Sequence, residues 1–389
     1  MNNLQAVVLA AGKSTRFNTN RSKLVEKICG QEMILYPVRL LENLKIKTTL
    51  VVGYQKDEII NLVKKKDPYV NFIEQTEQLG TGHAVAITKD SWQAEHILII
   101  NGDAPLLTEE AIKKLYEKHL ETDSAISFVV AHNIDPSLKS YGRVIEEGNK
   151  LKIVEAKDDE IKDRRDCCIN AGVYLVKTSF LKSAINEVKK SSVTGEFYIT
   201  KLIEMANEKD LCVSTITESF DTIRGINTLK ELWVAEQIKR SELIQYWMTE
   251  GVRFSAAQNI HMDLSVKIGK GSYVGPGVKL SGDTVIGENT YLEGLTVIEN
   301  CKVGNAVKVS PNCVIKNSEV QDNCNIGPFC YIYNNSVVEK NCSIEGFTEI
   351  NESSFSKIYS SFSTSHAEKK SEKFIAAKAA KLDGSELQV

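Results

Sequence analysis

No stretch of this sequence stays apolar for the roughly 20 residues that a bilayer core demands. Its first residues also lack the basic, apolar and cleavage-site order of an export signal. Neither sign of charge dominates: 48 Lys and Arg face 51 Asp and Glu, a net charge of -3, so there is no basic field for nucleic acid or anionic lipid. The nine cysteines form no Cys-x-x-Cys and no Cys/His cluster with zinc spacing, and nine in 389 residues is too dilute for a disulfide scaffold. Neither the GxGxxG of a dinucleotide fold nor the GxxxxGK[ST] of a P-loop occurs. These absences predict a soluble, cytoplasmic protein with reduced thiols.

What is present is an ordinary 42 % of apolar residues, enough for two or three domains with real cores. Up to residue 227, β-type runs alternate with helical spacing: Ala6–Leu9, Thr48–Val52, Ile97–Ile100, Ala125–Val130, Arg143–Ile145, Leu151–Val154 and Val173–Val176. That alternation predicts an α/β sheet with covering helices. Thr108 before Glu109 reads as an N-cap followed by an acidic first turn. From Leu229 to Met248 the spacing becomes helical with a broad apolar face, suited to a linking helix over 228–251.

Beyond Ile260 the period is six. Ile268, Val274, Leu280, Ile286, Leu292 and Ile298 form one series; Val303, Val309 and Ile315 follow a one-residue deletion; Val320, Ile326, Ile332, Val338, Ile344 and Ile350 follow a second. Small or slender residues such as Ser272, Thr284, Thr290, Cys313, Cys324, Cys330 and Cys342 recur four positions after an anchor. A solenoid with three corners per coil needs that pairing, and it gives four cysteines an inward-facing place. Glycines after Ile268, Val274, Ile286, Val303 and Ile326 suit tight corners. The region resembles the left-handed parallel β-helix of hexapeptide-repeat proteins, over 252–356, and a polar tail with one modest helix, FIAAKAAKL, follows over 357–389.

Chemistry concentrates in the first part. Leu9–Phe17 reads LAAGKSTRF: small Ala10, Ala11 and Gly12 let the backbone approach a ligand, and Lys13, Arg16 and Lys23 bring positive charge, a cradle for a phosphate chain. By itself the loop can also be read as an ordinary strand-to-helix turn with surface basic residues. In EQTEQLGTGHA, Glu74–Ala84, Gly80, Thr81 and Gly82 can press backbone against a planar base while Gln75 offers its amide. In ILIINGDAPL four aliphatics deliver Asp103 to the carboxyl end of a strand, where open α/β sheets bind ligands. Asp103 is a magnesium candidate there, although an aspartate after a strand is also a common turn residue.

LAAGKSTRF, QLGTGHA, NGDAPL, YGRVI, IVEAKD, INAGVYL, TGEFYIT and RGIN run in order from Leu9 to Asn227. In these segments the chain resembles the sugar-1-phosphate nucleotidyltransferases. With the β-helix attached it is similar to their bifunctional N-acetylglucosamine-1-phosphate uridyltransferases and acetyltransferases. The resemblance implies a Rossmann-like domain with a mixed sheet over 1–227 and transfer of UMP from UTP to N-acetyl-α-D-glucosamine 1-phosphate. It assigns Ala11, Gly12, Gln75, Gly80 and Thr81 to the nucleotide, and Arg16 and Lys23 to the triphosphate as catalytic cations. Gly142, Glu155 and Asn170 would hold the sugar, Asp103 and Asn227 Mg2+, and the β-helix a homotrimer, with no nucleic acid or membrane partner. Each of the sugar residues has a plain alternative: a turn glycine, a solvated strand-end acid, a strand-start amide.

Two positions depart from the family pattern: Ser14 stands where glycine is usual and Ser22 where proline precedes the lysine. The first crowds the phosphate loop; the second removes rigidity ahead of Lys23. In the β-helix, Tyr333 occupies the place of a phosphate-binding arginine and Asn351 lies near that of a lysine, while the nearest histidine is His366 in a polar segment. Together with hexads that stop near Ser356, these predict that acetyl transfer from acetyl-CoA is absent. Two other readings stand beside the uridyltransferase: a non-catalytic scaffold or regulatory subunit, and a transferase for another sugar 1-phosphate or nucleotide.

Overall fold

The computed structural model describes residues 3–13, 17, 21–133, 141–148, 150–158 and 167–351. Ser14, Arg16, His366 and the FIAAKAAKL segment lie outside them. The chain divides into two compact units, Met1–Gln237 and Ile238–Val389.

The first unit is built on a nine-stranded mixed sheet. Its spatial order is Val213–Thr217, Ile126–Asn133, Cys167–Lys177, His96–Asn101, Leu4–Ala10, Lys47–Val52 and Asn71–Glu74, with Arg143–Glu147 joining Cys167–Lys177 and pairing in turn with Lys150–Val154. Leu4–Ala10 is parallel to both neighbours, and its residues are buried almost throughout, as a central parallel strand covered on two faces must be. Cys167–Lys177 runs antiparallel to His96–Asn101 and to Ile126–Asn133. Its register shifts between Asn170 and Tyr174, a bulge that redirects side chains at the edge of the sheet where the parallel strands end.

Each expected run lies in a strand, save that Ala125 falls just before Ile126–Asn133; Asn71–Glu74 and Val213–Thr217 are additional. Both are edge strands and mostly half-buried or exposed, so no apolar run announces them. Thr108 caps the helix Glu109–Glu121, its hydroxyl accepting from Ala111 N at 3.2 Å. The helix Leu229–Thr249 forms where expected, without a single apolar stripe. Ala235 and Ile244 are buried while Leu229, Trp233 and Met248 are exposed, because the apolar positions are spread right round the helix.

In the second unit, parallel sheets of six, six and five two- or three-residue strands form the left-handed β-helix. All fifteen anchors from Ile268 to Ile350 are buried and form one core with Val278, Val307 and the cysteines 313, 324, 330 and 342. Coils pair 18 residues apart, as in Lys267 with Val285, except that each deletion shortens one coil to 17, as in Val285 with Lys302 and Lys302 with Glu319. The glycines after the anchors are not the left-handed corner residues. Those positions are held chiefly by asparagines, among them Asn289, Asn300, Asn317 and Asn341. Gly287 is required for another reason: a Cβ there would lie 2.5 Å from the backbone of Gly304 in the next coil. Close stacking of coils, not positive φ, demands glycine at that point.

Candidate active site

A cleft of about 880 Å3 opens at the carboxyl ends of the parallel strands in the first unit. Ala11, Gly12, Lys23, Gln75, Gly80, Thr81, Asp103, Gly142, Glu155, Asn170 and Asn227 all line it. Arg16 lies outside the described residues.

Lys23 sits on a short 3-10 turn, Lys23–Val25, that Ser22 caps: the buried Ser22 hydroxyl accepts from Leu24 N at 3.3 Å and its carbonyl accepts from Val25 N at 3.2 Å. The serine thus supplies by hydrogen bonding some of the order expected to be lost with proline. The Lys23 ammonium donates to Asp103 Oδ2 at 2.5 Å and to Asn227 Oδ1 at 2.8 Å. These side chains come from positions 80 and 204 residues away in the chain. Asp103 follows the strand His96–Asn101, and its carbonyl accepts from Ile226 N at 2.9 Å, which draws the RGIN segment against it. Asn227 is fixed from the other side, where its backbone N donates to Glu231 Oε2 at 2.7 Å. Glu231 N in turn donates to the Thr228 hydroxyl at 3.2 Å, as in a capping box, while the Glu231 carboxylate reaches one residue further back than the box requires, to Asn227 N. The sequence carries that signal as Thr-x-x-Glu.

A carboxylate and an amide oxygen therefore already converge on one cation. The same hard-oxygen pair suits Mg2+, which commonly takes one or two protein ligands and leaves the rest of its shell to phosphates and water. Among the described residues no group of three or more His, Cys, Asp or Glu could hold a metal without such help.

On the far wall the turn Gly80–Thr81 is held by the GEFYIT segment. Gly82 N donates to Phe197 O at 2.7 Å and Ile199 N donates to the Thr81 hydroxyl at 3.1 Å. Gly80 has φ +106°, and a Cβ on it would lie 2.5 Å from Phe197 O, so only glycine serves there. Gln75, directly after the edge strand Asn71–Glu74, is buried, and its Nε2 lies 3.1 Å from Gly80 O and 3.0 Å from His83 Nδ1.

The third wall gathers Gly142, Glu155 and Asn170. Glu155 Oε1 accepts from the Thr200 hydroxyl at 2.6 Å. Burial pushes the Glu155 carboxyl above its usual range, with Thr200 working against the shift and the charges of Asp158 and Glu196 adding to it. The turn carrying Glu155 is fastened further by Lys157 to Glu196 at 2.6 Å and by the Ser191 hydroxyl to Asp158 Oδ2 at 3.1 Å. In the strand bulge, Asn170 Nδ2 donates to Tyr174 Oη at 2.5 Å and Asn170 Oδ1 accepts from Gly172 N at 3.1 Å. Tyr141 Oη accepts from Gly225 N at 2.9 Å, linking YGRVI to RGIN. Tyr141, Thr200, Glu231 and His83 were not singled out from the sequence. The segments YGRVI, TGEFYIT and QLGTGHA contain three of them, and the capping-box spacing marks Glu231.

Two family profiles match the chain: a MobA-like NTP transferase domain over residues 6–149 and a GMPPB C-terminal domain over residues 256–357. Similar curated proteins are each named bifunctional protein GlmU. That of Geotalea uraniireducens is 33 % identical over 355 residues, covering 90 % of this chain and 77 % of its own length. That of Clostridioides difficile is 31 % identical over 353 residues, covering 90 % and 76 %. That of Thermotoga sp. strain RQ2 is 33 % identical over 353 residues, covering 90 % and 77 %.

Proposed function

The chain belongs to the GlmU family, and from that premise we propose that it is a Mg2+-dependent sugar-1-phosphate uridylyltransferase. It transfers UMP from UTP to N-acetyl-α-D-glucosamine 1-phosphate, giving UDP-N-acetylglucosamine and pyrophosphate. The observation that carries the reading is the Lys23 ammonium between Asp103 and Asn227, flanked in one cleft by the Gln75–Thr81 turn and by the Glu155 and Asn170 wall.

The sugar phosphate is an anionic oxygen nucleophile near neutral pH, so the chain needs no strong general base. Its oxygen forms the new bond to the α-phosphorus of UTP, and the α–β bridging bond breaks in line with release of pyrophosphate. The difficulty is the approach of two anions. Lys23 and Arg16 offset their charge, and Asp103 and Asn227 hold the metal ion. Bound Mg2+ supplies further neutralisation of the phosphates. Ala11, Gly12, Gly80 and Thr81 bring backbone close to the nucleotide, and Gln75 meets the base. Gly142 leaves room for the sugar, Glu155 accepts from its hydroxyls, and Asn170 orients it.

We further infer that acetyl transfer is absent. Tyr333 Oη donates to Glu349 at 2.7 Å and accepts from Asn351 Nδ2 at 3.1 Å, so a carboxylate stands beside the position where the family binds a phosphate. A cytoplasmic homotrimer joined through the β-helix completes the proposal; a monomer mass by light scattering would overturn that part.

The test is pyrophosphate release from four nucleoside triphosphates crossed with several sugar 1-phosphates, with and without Mg2+. We expect UTP with N-acetylglucosamine 1-phosphate to lead, and only with the metal. Release from no pair returns the scaffold reading, and a different leading pair replaces the substrate. Thiol release from acetyl-CoA with glucosamine 1-phosphate would overturn the denial of the second activity.

A further inference from the structure

We propose that His83 is a positioning residue that makes Gln75 present only a hydrogen-bond acceptor to the nucleobase. The subsite then selects a pyrimidine carrying a ring N–H, as uracil does, over one with a bare ring nitrogen, as in cytosine. The proposal rests on the uridylyltransferase reading and deepens it.

The argument is an inventory of hydrogens. The Gly80 carbonyl can only accept, so the atom of the Gln75 side chain 3.1 Å from it must be the amide nitrogen. That nitrogen has two hydrogens. One goes to Gly80 O, and the other points to His83 Nδ1 at 3.0 Å, which must then be the unprotonated ring nitrogen. Nothing remains on Nε2 to offer a ligand. The amide oxygen, by contrast, has no hydrogen-bond partner among the described residues, and Gln75 lines the cleft.

The two anchors do different work. Gly80 is held from both sides, because Phe197 N donates to Leu79 O at 2.8 Å and Phe197 O accepts from Gly82 N at 2.7 Å. Alone it would orient the amide yet leave one hydrogen free to donate to a ligand. His83, on the helix Thr81–Ala86 and tilted against the Phe197 ring with centroids 6.5 Å apart, removes that hydrogen from play. A uracil N3–H facing Gln75 Oε1 then finds an acceptor. A cytosine N3 in the same place sets lone pair against lone pair, and an unmet buried polar group is the strongest source of discrimination that a binding site possesses.

Calorimetric binding of UTP and CTP to the full chain, alongside turnover with each, tests this. For wild type, UTP should bind at least tenfold more tightly than CTP. His83→Ala should lower the CTP-to-UTP ratio of dissociation constants about tenfold, chiefly by weaker UTP and stronger CTP binding. His83→Asn, whose side-chain oxygen can accept in place of Nδ1, should restore the ratio. If His83→Ala weakens both nucleotides equally, or if the Asn variant behaves as the Ala variant does, the histidine is merely structural and the inference is wrong. Binding that shows the expected ratios without turnover would sink the uridylyltransferase reading while leaving the base selection intact.

Discussion

The two units solve folding in opposite ways. In the β-helix every coil repeats the same demand, and an aliphatic anchor such as Ile315 differs from Ile298 only by its height in the stack. In the mixed sheet no position repeats. Lys23, Asp103 and Asn227 meet once, from three distant segments, and no neighbouring residue replaces any of them. A repeated architecture spreads its stability over equivalent interfaces, whereas the cleft concentrates its chemistry on single contacts. Damage to one unit should therefore appear as lost stability and damage to the other as lost turnover.

The largest effect that separates them is in the coil. Ile315 is fully buried, so Ile315→Ala should cost about 4 kcal/mol of stability in a urea melt. Turnover measured well below the melt should be unchanged, and a parallel fall in both would break the contrast. Next is Asp103→Ala, which should leave the melt nearly in place and raise the barrier by about 3 kcal/mol, around a hundredfold in kcat. Wild-type turnover in a folded Asp103 variant would end its role with the metal.

The smallest effect sharpens the picture of the sheet. His119 is buried, 3.1 Å from His96 and 2.7 Å from the Ser127 hydroxyl, and burial with the neighbouring His96 and Lys177 lowers its pKa from 6.5 to about 4. The unfolded chain then binds more protons than the folded one between those values, so stability is full at neutral pH and is lost as pH falls through 6.5 toward 4. Going from pH 7 to 5.5 should cost roughly 1 kcal/mol, with His96, also lowered by burial, adding in the same direction. A urea midpoint that does not move over this range would remove the buried pair as the cause.

The same contrast explains what could be read from the sequence. Fifteen anchors in three phased series gave the β-helix its strands, because a period survives when each residue is judged only by its own hydrophobicity. The buried strands of the sheet were legible for that reason too, and the half-exposed edges Asn71–Glu74 and Val213–Thr217 were not. In the cleft the order of segments identified which residues to consider, through resemblance. Their partners stayed hidden: nothing local to Lys23 predicts that its ammonium bridges Asp103 and Asn227, 80 and 204 residues away. Gln75 finds its partners only five and eight residues on, in Gly80 and His83, but which hydrogens they engage depends on the folded turn and not on the spacing. The corner glycines failed for a related reason, since Gly287 answers to Gly304 in the coil above and not to its own dihedral.

The buried cysteines of the β-helix have a consequence of their own. Only a thiolate attacks an alkylating reagent. Burial raises Cys301, Cys324 and Cys342 above the ordinary thiol and takes Cys313 to about 11, so each is silenced both by access and by protonation while its coil is closed. Cys301 and Cys313 lie in one coil, Cys324 in the next and Cys342 in the one after, which makes the solenoid its own opening gauge: the sequence in which these sulfurs become reactive ranks the rungs by how readily each one lets go.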